Sequence, residues 1–183
     1  MQTDTSLGLI RQLGYIVKDL PAAAAVWSEK LAVGPWTFIK NIPLTSEYEG
    51  KHSEPMIDVG LSYRGDMQIE LIQQTNTDPS PFLPYIQRGQ FGLHHTAFLI
   101  DRIDATVAGL QRSGLELECD IHMPGGSRYV FFRSPIPNER TFIELMEATP
   151  QIKQLYVDGI PAAAHWDGKT PPTVIDFAAL GLK

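Results

Sequence analysis

The sequence contains a set of four side chains that could together bind one divalent cation: Gln12, Glu70, His95 and Glu144. Glu70 lies within the run MQIELIQ and Glu144 within FIELME, so each carboxylate interrupts an apolar segment. A buried ionised carboxylate is costly unless a partner balances its charge. A divalent cation is such a partner, and two carboxylates, one amide oxygen and one imidazole form a mixed oxygen and nitrogen ligand set. These residue types indicate a metal site with open positions for water or substrate.

An internal repeat relates the four residues to one another. The segment QLGYIVKDLPAA, which begins at Gln12, is similar to HTAFLIDRIDAT, which begins at His95. Each copy has apolar residues at every second position and then a helical pattern. The apolar strands MQIELIQ and FIELME close the two copies. The sequence therefore predicts two tandem βαβββ modules, module 1 over about residues 8–75 and module 2 over about 90–148.

Strand alternation assigns the two glutamates to one face of the sheet. Glu70 points away from its apolar neighbours Ile69 and Leu71, and Glu144 points away from its own neighbours in the same manner. If the apolar faces pack against the helices, both carboxylates point to the opposite, concave face, and the repeat places the amide and the imidazole there too. Taken singly, each of these residues is more simply a solvated strand residue. Their matched positions in a duplicated unit favour the metal site.

Local signals predict the limits of the two long helices. Asp19, followed by a proline two positions later, is expected to cap the first helix, and Asp101 or Asp104 the second. Gly34 and Gly114 are expected to end them.

Segments rich in turn-forming residues separate and follow the modules. The linker TNTDPSPFLPYIQRGQF joins them, and a loop around residues 43–55 lengthens the first copy. Residues 149–183 form a C-terminal extension with several prolines, which we expect to be a surface appendage. Within it, His165 and Trp166 either cap the cup or dock on the surface of this chain or of a partner subunit.

Composition limits the classes of function. The chain has 183 residues, enough for one domain or two fused modules. A net charge of −6 argues against a nucleic-acid partner. The single cysteine, Cys119, forms no internal disulfide and no CxxC zinc site, which favours a cytoplasmic protein. We also expect no membrane span and no export signal, because the sequence has neither a long apolar run nor a basic start followed by an apolar segment.

The repeated segments, the double histidine of GLHHTAF and the two closing strands resemble the vicinal oxygen chelate superfamily, which comprises glyoxalases, bleomycin resistance proteins and dioxygenases. The resemblance covers about residues 8–148 and is greatest to the branch with methylmalonyl-CoA epimerase and glyoxalase I. It implies an α+β fold whose modules form a cup-shaped open β-barrel around one metal, with Gln12, Glu70, His95 and Glu144 as ligands. Their order is similar to that of animal-type glyoxalase I, whereas epimerases tend to have His first and Gln second.

The resemblance implies a glyoxalase-type enzyme that acts as an isomerase, epimerase or lyase. The metal would polarise a substrate carbonyl and stabilise an enediolate, with Glu144 as the base and Glu70 on the other side of the carbon. We expect a small-molecule carbonyl substrate, with a thioester or thiol adduct as one option, and a homodimer. The residues do not distinguish zinc, nickel, cobalt, manganese and iron as the native metal.

Two other functions stay open. An extradiol-type dioxygenase holds iron with two histidines and one carboxylate, but Gln12 stands where the first of those histidines would be. A sequestering protein of the bleomycin resistance type binds a small molecule without converting it, and such proteins generally lack the metal ligands.

The sequence also suggests roles for residues near the four proposed ligands. By alternation His94 faces away from His95 and forms a structural hydrogen bond, whereas Phe142 either touches the substrate or packs in the core. An anionic end of the substrate would need a cation. The candidates for it are Arg11, Lys40, Arg64, Arg128 and Arg140.

Overall fold

The computed structural model describes residues 7–137 and 139–181, apart from the side chain of Leu180. Outside them lie residues 1–6, Asn138 and residues 182–183, among them the start of the N-terminal segment and the last two positions of the predicted extension. The strands are β1 Ile10–Ile16, β2 Thr37–Pro43, β3 Thr45–Tyr48, β4 Lys51–Ser53, β5 Met56–Arg64, β6 Met67–Gln74, β7 Gly92–Ile100, β8 Leu117–His122, β9 Arg128–Arg133, β10 Phe142–Glu147 and β11 Thr173–Asp176. The helices are α1 Leu20–Leu31, α2 Leu83–Gln87, α3 Ile103–Arg112, α4 Pro150–Ala164 and a 3₁₀ helix, Phe177–Leu180.

The described strands form one sheet in the order β11-β2-β5-β6-β1-β7-β10-β9-β8-β3-β4. Within each module the first and last strands pair in parallel, β1 with β6 and β7 with β10. The first strands of the two modules then pair antiparallel with each other at the centre of the sheet. The predicted α+β fold of two βαβββ modules is confirmed, and its four central strands are those expected to carry the metal ligands.

The expected loop around residues 43–55 is instead the hairpin of β3 and β4. Strand β3 pairs antiparallel with β8 of the second module, where Tyr48 lies opposite Cys119. Only Leu44, which is buried, separates β3 from β2. The chain thus runs directly from one end of the sheet to the other, and the sheet curls into a cup within this single chain.

Helix α1 packs its apolar side on the convex face of the first module. Leu20 and Ala24 of the helix are buried against Ile69 and Leu71 of β6, which confirms the assignment of these strand residues to the helix side. Asp19 caps the helix as predicted, because its side chain accepts a hydrogen bond from the amide of Ala22. The burial of this face leaves the alternate residues of β6 on the concave side.

Two of the predicted helix limits are wrong. Helix α1 ends before Gly34, at Ala32, which adopts the left-handed conformation with φ of 52° and donates its amide to the last turn. Helix α3 has no side-chain cap, since Arg102 occupies the N-cap position and Asp101 instead binds Lys153 of α4. Gly114, with φ of 93°, directly follows the C-cap of α3, as predicted.

The C-terminal extension is ordered structure on the protein's own surface, which corrects the expectation of a loop-like appendage. Helix α4 lies against β5, where Gly159 lets the helix approach the ring of Tyr63. Strand β11 adds to the sheet in parallel beside β2. Trp166 packs against Gly34 and does not line the cup. Among the described residues, no helix has the length and hydrophobicity needed to cross a membrane.

Candidate metal and active site

The four predicted ligands meet on the concave face around the Nε2 atom of His95. Oε1 of Gln12 lies 3.1 Å from this nitrogen, Oε2 of Glu144 lies 3.2 Å from it, and Oε2 of Glu70 lies 3.4 Å from it. Gln12, His95 and Glu144 are buried, and the Glu70 side chain is 16% exposed. Strand pairing explains the convergence, because β1 and β7 lie side by side and each is flanked by the strand that carries the glutamate of its own module.

A glycine makes room for the His95 ring. Gly14 lies opposite His95 in the β1–β7 pair, and a Cβ atom at this position would be 2.0 Å from Cε1 of the imidazole. Such a distance is far shorter than any van der Waals contact, so only glycine permits the observed ring position.

A β-bulge at His94 corrects the prediction that this residue faces away from His95. In the β1–β7 register, Gly14 lies opposite His95 and the next residue, Tyr15, lies opposite Leu93, so His94 has no partner across the pair. A bulge of this kind interrupts strand alternation. Both imidazoles consequently lie on the side of Phe131, with their Nδ1 atoms 3.0 Å apart. The predicted structural hydrogen bond of His94 is present.

The hydrogen bonds of His94 define the orientation of His95. A carbonyl oxygen only accepts, so Nε2–H of His94 donates to the carbonyl of Pro81 at 3.1 Å. Burial lowers the pKa of His94 well below its usual value, and the neighbouring His95 lowers it further, so the ring is neutral. Its Nδ1 therefore accepts from Nδ1–H of His95. His95 is left with Nε2 directed at the three side-chain oxygens.

A second chain of hydrogen bonds connects the site to the C-terminal extension. The amide of Gln12 donates to Gln68 at 2.7 Å, and the amide of Gln68 donates to the hydroxyl of Tyr63 at 2.6 Å. Tyr63 in turn donates to the backbone carbonyl of Leu155 in α4 at 2.8 Å. This chain orients the Gln12 oxygen towards His95 and ties the position of α4 to that of the site.

Charge balance at the site depends on His95. Burial opposes protonation of its ring, but the carboxylates of Glu144 and Glu70 outweigh burial and raise the pKa of His95 to about 10. Burial raises the pKa of Glu144, an effect that His95 opposes and Glu70 reinforces. In this arrangement an imidazolium at His95 balances one of the two negative charges that Glu70 and Glu144 can carry.

The residues present fit a divalent cation in their chemistry. Oε2 of Glu144 is buried, and although it lies 3.2 Å from Nε2 of His95 it makes no well-aligned hydrogen bond, so it is free to bind a cation. Metal bonds of about 2.1 Å separate neighbouring donor atoms by about 3.0–3.4 Å, and the three oxygens stand at such distances from Nε2 of His95. Within the described ranges, no three His, Cys, Asp or Glu side chains form a ready cage around a common point. The four side chains therefore lie together, but their donor atoms contact one another and do not surround an open position for a cation.

A cavity of about 320 Å³ opens onto the site. Gln12, Gln68, Glu70 and Glu144 line it together with many aliphatic and aromatic side chains of both modules. The arrangement places two carboxylates beside an apolar space that can hold a small molecule. Carboxylates in such a position are of the type that accept and donate protons in acid–base chemistry.

The five cations considered as anchors for an anionic substrate lie elsewhere. Lys40 is paired with Asp58, and Arg128 with Asp104 and Asp120. Arg64 contacts the carbonyl of Ala32, and Arg140 contacts the side chain of Gln90. Arg11 stacks on the ring of Tyr156, a buried residue of the cavity wall, but does not itself line the cavity. Phe142 packs 4.8 Å from the ring of His94 in the core and does not line the cavity.

Three features of the site were not predicted from the sequence. The role of His94 depends on a bulge, for which the double histidine was the only sign. Gln68 shares a face of β6 with Glu70 by strand alternation, but nothing in the sequence connects it with Tyr63. The contribution of α4 to the cavity was missed because its prolines suggested a loop, although Thr149 before Pro150 is a typical helix start.

Comparison with known proteins places this architecture among solved structures. A hypothetical protein from Bacillus halodurans superposes with a TM-score of 0.56 at 18% identity, over 78% of this chain and 96% of its own. A methylmalonyl-CoA epimerase from Streptomyces coelicolor, solved with 2-nitronate-propionyl-CoA, superposes with a TM-score of 0.55 at 20% identity, over 79% of this chain and 97% of its own. A methylmalonyl-CoA epimerase from Mycobacterium tuberculosis superposes with a TM-score of 0.55 at 18% identity, over 79% of this chain and 91% of its own. At these identities the likeness concerns the fold.

No curated protein matches the sequence. The model of one family does match, over residues 11–132, which include β1, β6 and β7 and thus three of the four converging side chains. The resemblance noted from the sequence is confirmed: the chain belongs to the Glyoxalase/Bleomycin resistance protein/Dioxygenase superfamily.

Proposed function

We propose that this protein is a metal-dependent enzyme of the isomerase or epimerase type that moves a proton at a carbon next to a carbonyl group. The observation that carries the proposal is the placement of two carboxylates, Glu70 and Glu144, on one imidazole nitrogen at the floor of a cavity. Two of the structural neighbours are epimerases, which makes exchange of an α-proton the first reaction to test.

In this proposal, the residues that hold the cation are Gln12, Glu70, His95 and Glu144. When bound, a divalent cation acts as a Lewis acid on the substrate carbonyl and makes the neighbouring proton more acidic. Glu144 removes that proton, because its buried carboxylate lines the cavity beside the position of the substrate carbon. Glu70, the second carboxylate that lines the cavity, returns a proton to the other side of the carbon. The apolar walls of the cavity keep water away from the reacting carbon.

The test combines metal content with proton exchange. Protein purified without chelators is measured by mass spectrometry for zinc, nickel, cobalt, manganese and iron. Exchange of the α-proton of small thioesters in D₂O is followed by NMR. We expect about one metal per chain, loss of metal in His95→Ala, and exchange reduced by at least about a hundredfold in Glu144→Gln.

Glu147→Gln is the matched control, because Glu147 lies on the same strand at an odd spacing from Glu144 and does not line the cavity. It should keep both metal and exchange. If the unaltered protein binds no metal and exchanges no proton but still binds small carbonyl compounds, the proposed enzyme is wrong and a sequestering protein takes its place.

A further inference from the structure

The walls of the cavity differ in character from its floor. Large apolar side chains of both modules form them, including Ile42, Leu44, Val59, Leu61, Ile121 and Phe131. The polar side chains that line the cavity, other than the phenols of two tyrosines, are those of the site together with Ser127 and Gln151. A molecule that reaches the carboxylates therefore lies mostly in an apolar environment.

No cationic side chain lines the cavity within residues 7–137 and 139–181. The guanidinium of Arg11 stacks on the ring of Tyr156, with 5.0 Å from its central carbon to the ring centroid, and Tyr156 lines the cavity whereas Arg11 does not. Glu70 and Glu144 already place two negative charges at the floor. The two positive charges of a divalent cation balance the negative charges of Glu70 and Glu144 and leave none for a further anion. A carboxylate on the substrate would be a third negative charge in an apolar space, which is strongly unfavourable.

The C-terminal extension forms one wall of this cavity. Ile152, Leu155 and Tyr156 of α4 and Phe177 of the 3₁₀ helix all line it. These residues lie outside residues 11–132, the stretch that matches the family model. Leu155 is 39% exposed and thus stands where the cavity meets solvent.

Direct contacts fix that wall in place. The Leu155 carbonyl accepts the hydroxyl of Tyr63, and the hydroxyl of Tyr156 donates to the backbone carbonyl of Arg11 at 3.3 Å. Gly159 packs directly on the ring of Tyr63. The helix is thus held by polar and steric contacts to β1 and β5, and its apolar side chains have defined positions over the site.

We propose, resting on the proposed function, that the substrate carries an uncharged, apolar acyl group, which the C-terminal extension selects through Leu155 and Phe177. A dicarboxylic acyl group such as methylmalonyl is excluded by the absence of a compensating charge. The structural neighbours named as methylmalonyl-CoA epimerases thus share the fold with this chain but not, on this proposal, the acyl group.

The test compares two N-acetylcysteamine thioesters that differ at one group. The 2,3-dimethylbutanoyl thioester has an isopropyl group where the methylmalonyl thioester has a carboxylate of similar size. Their dissociation constants are measured by calorimetry on the metal-free protein and on the zinc-loaded protein. We expect the apolar thioester to bind at least about tenfold more tightly in both forms.

Two variants of α4 connect the preference to the extension. Leu155→Arg places a cation where the cavity meets solvent and should shift the preference towards the methylmalonyl thioester by at least about tenfold. Val157→Arg is the control, because Val157 is 63% exposed on the same helix and does not line the cavity, and it should leave the ratio unchanged.

The outcomes separate this inference from the proposed function. Equal or tighter binding of the methylmalonyl thioester to the unaltered protein would overturn the inference, as would failure of both thioesters to bind. Exchange of the α-proton of each thioester, followed by NMR in parallel, tests the proposed function. Tight binding of the apolar thioester without exchange would refute the reaction and leave the assigned ligand class in place.

Discussion

Gly14 and His95 lie opposite each other across the central strand pair, and the imidazole occupies the space that a side chain at position 14 would fill. The position of the ring is therefore defined from two sides, by the open space at Gly14 and by the hydrogen bond from Nδ1 to His94. The nitrogen that faces the two glutamates is directed by these neighbours.

Replacement of Gly14 by alanine should disturb the site itself. The added Cβ would force the imidazole to move, at a cost of about 1–3 kcal/mol in unfolding free energy from overpacking. We expect lower affinity for cobalt in a spectroscopic titration. In Gly60→Ala the new Cβ would meet Leu20 at 2.9 Å, on the helix side of the sheet, so this control should be destabilised but bind cobalt normally. Unchanged cobalt affinity in Gly14→Ala would contradict the steric role.

His94→Phe should weaken metal binding, although neither nitrogen of His94 faces the oxygens of the proposed ligands. Phenylalanine keeps the aromatic packing on Phe131 and Phe142 but removes the acceptor of the His95 Nδ1–H bond. Loss of such an orienting partner typically lowers metal affinity about 10–100-fold. Competition with a chromogenic chelator measures the effect. His122→Phe, at an exposed histidine, is the control and should bind as the unaltered protein does.

Gly159→Ala should reverse the usual effect of this substitution in a helix. Alanine normally stabilises a helix interior by about 0.5–1 kcal/mol relative to glycine. At this position, however, its Cβ would be 2.0 Å from the ring of Tyr63, so α4 must shift, and we expect a net loss of about 1–3 kcal/mol. Urea denaturation gives the difference. Gly109→Ala in α3, where the nearest atom is 3.9 Å away, should show the ordinary stabilisation. Stabilisation at both positions would argue against tight docking of α4.

The thiol of Cys119 should be unreactive in the folded protein. Burial raises its pKa to about 12, against the hydrogen bond with Ser46, which favours the thiolate. The thiolate fraction at pH 8 is therefore very small, and the sulfur is closed to solvent. Titration with a chromogenic disulfide should detect no thiol in native protein and one per chain in denaturant. Because Ser46 lies on β3 and Cys119 on β8, rapid reaction in native protein would show that these strands separate readily.

The sequence correctly predicted which side chains of the site share a face wherever the strand pairing is regular. Glu70 and Glu144 lie on β6 and β10, whose pairing has no register shift, and Gln12 lies just after a shift in β1, where its pairing with β6 is regular. Alternation therefore holds at all three positions, and the repeat supplies the strand order. His94 departs from the prediction because a single bulged residue reverses alternation. The register shift depends on pairing between distant strands, and a local pattern contains no information on it.

The departures in the fold have a related origin. Strand β3 is four residues long and pairs with β8 of the other module, so its conformation is determined by a tertiary partner. The extension carries Pro161 inside α4, a residue that usually ends helices. Packing of Tyr156 and Ile152 into the core outweighs that preference.

The direct passage from β2 to β3 also has a consequence for synthesis. When a ribosome has released only the first module, β3 has no β8 to pair with, and one side of the cup is missing. The hairpin can join the sheet only after the second module has emerged. A gene split between the modules would therefore yield a first fragment with an unpaired strand edge, which is prone to aggregation, and function would require both fragments in the same compartment.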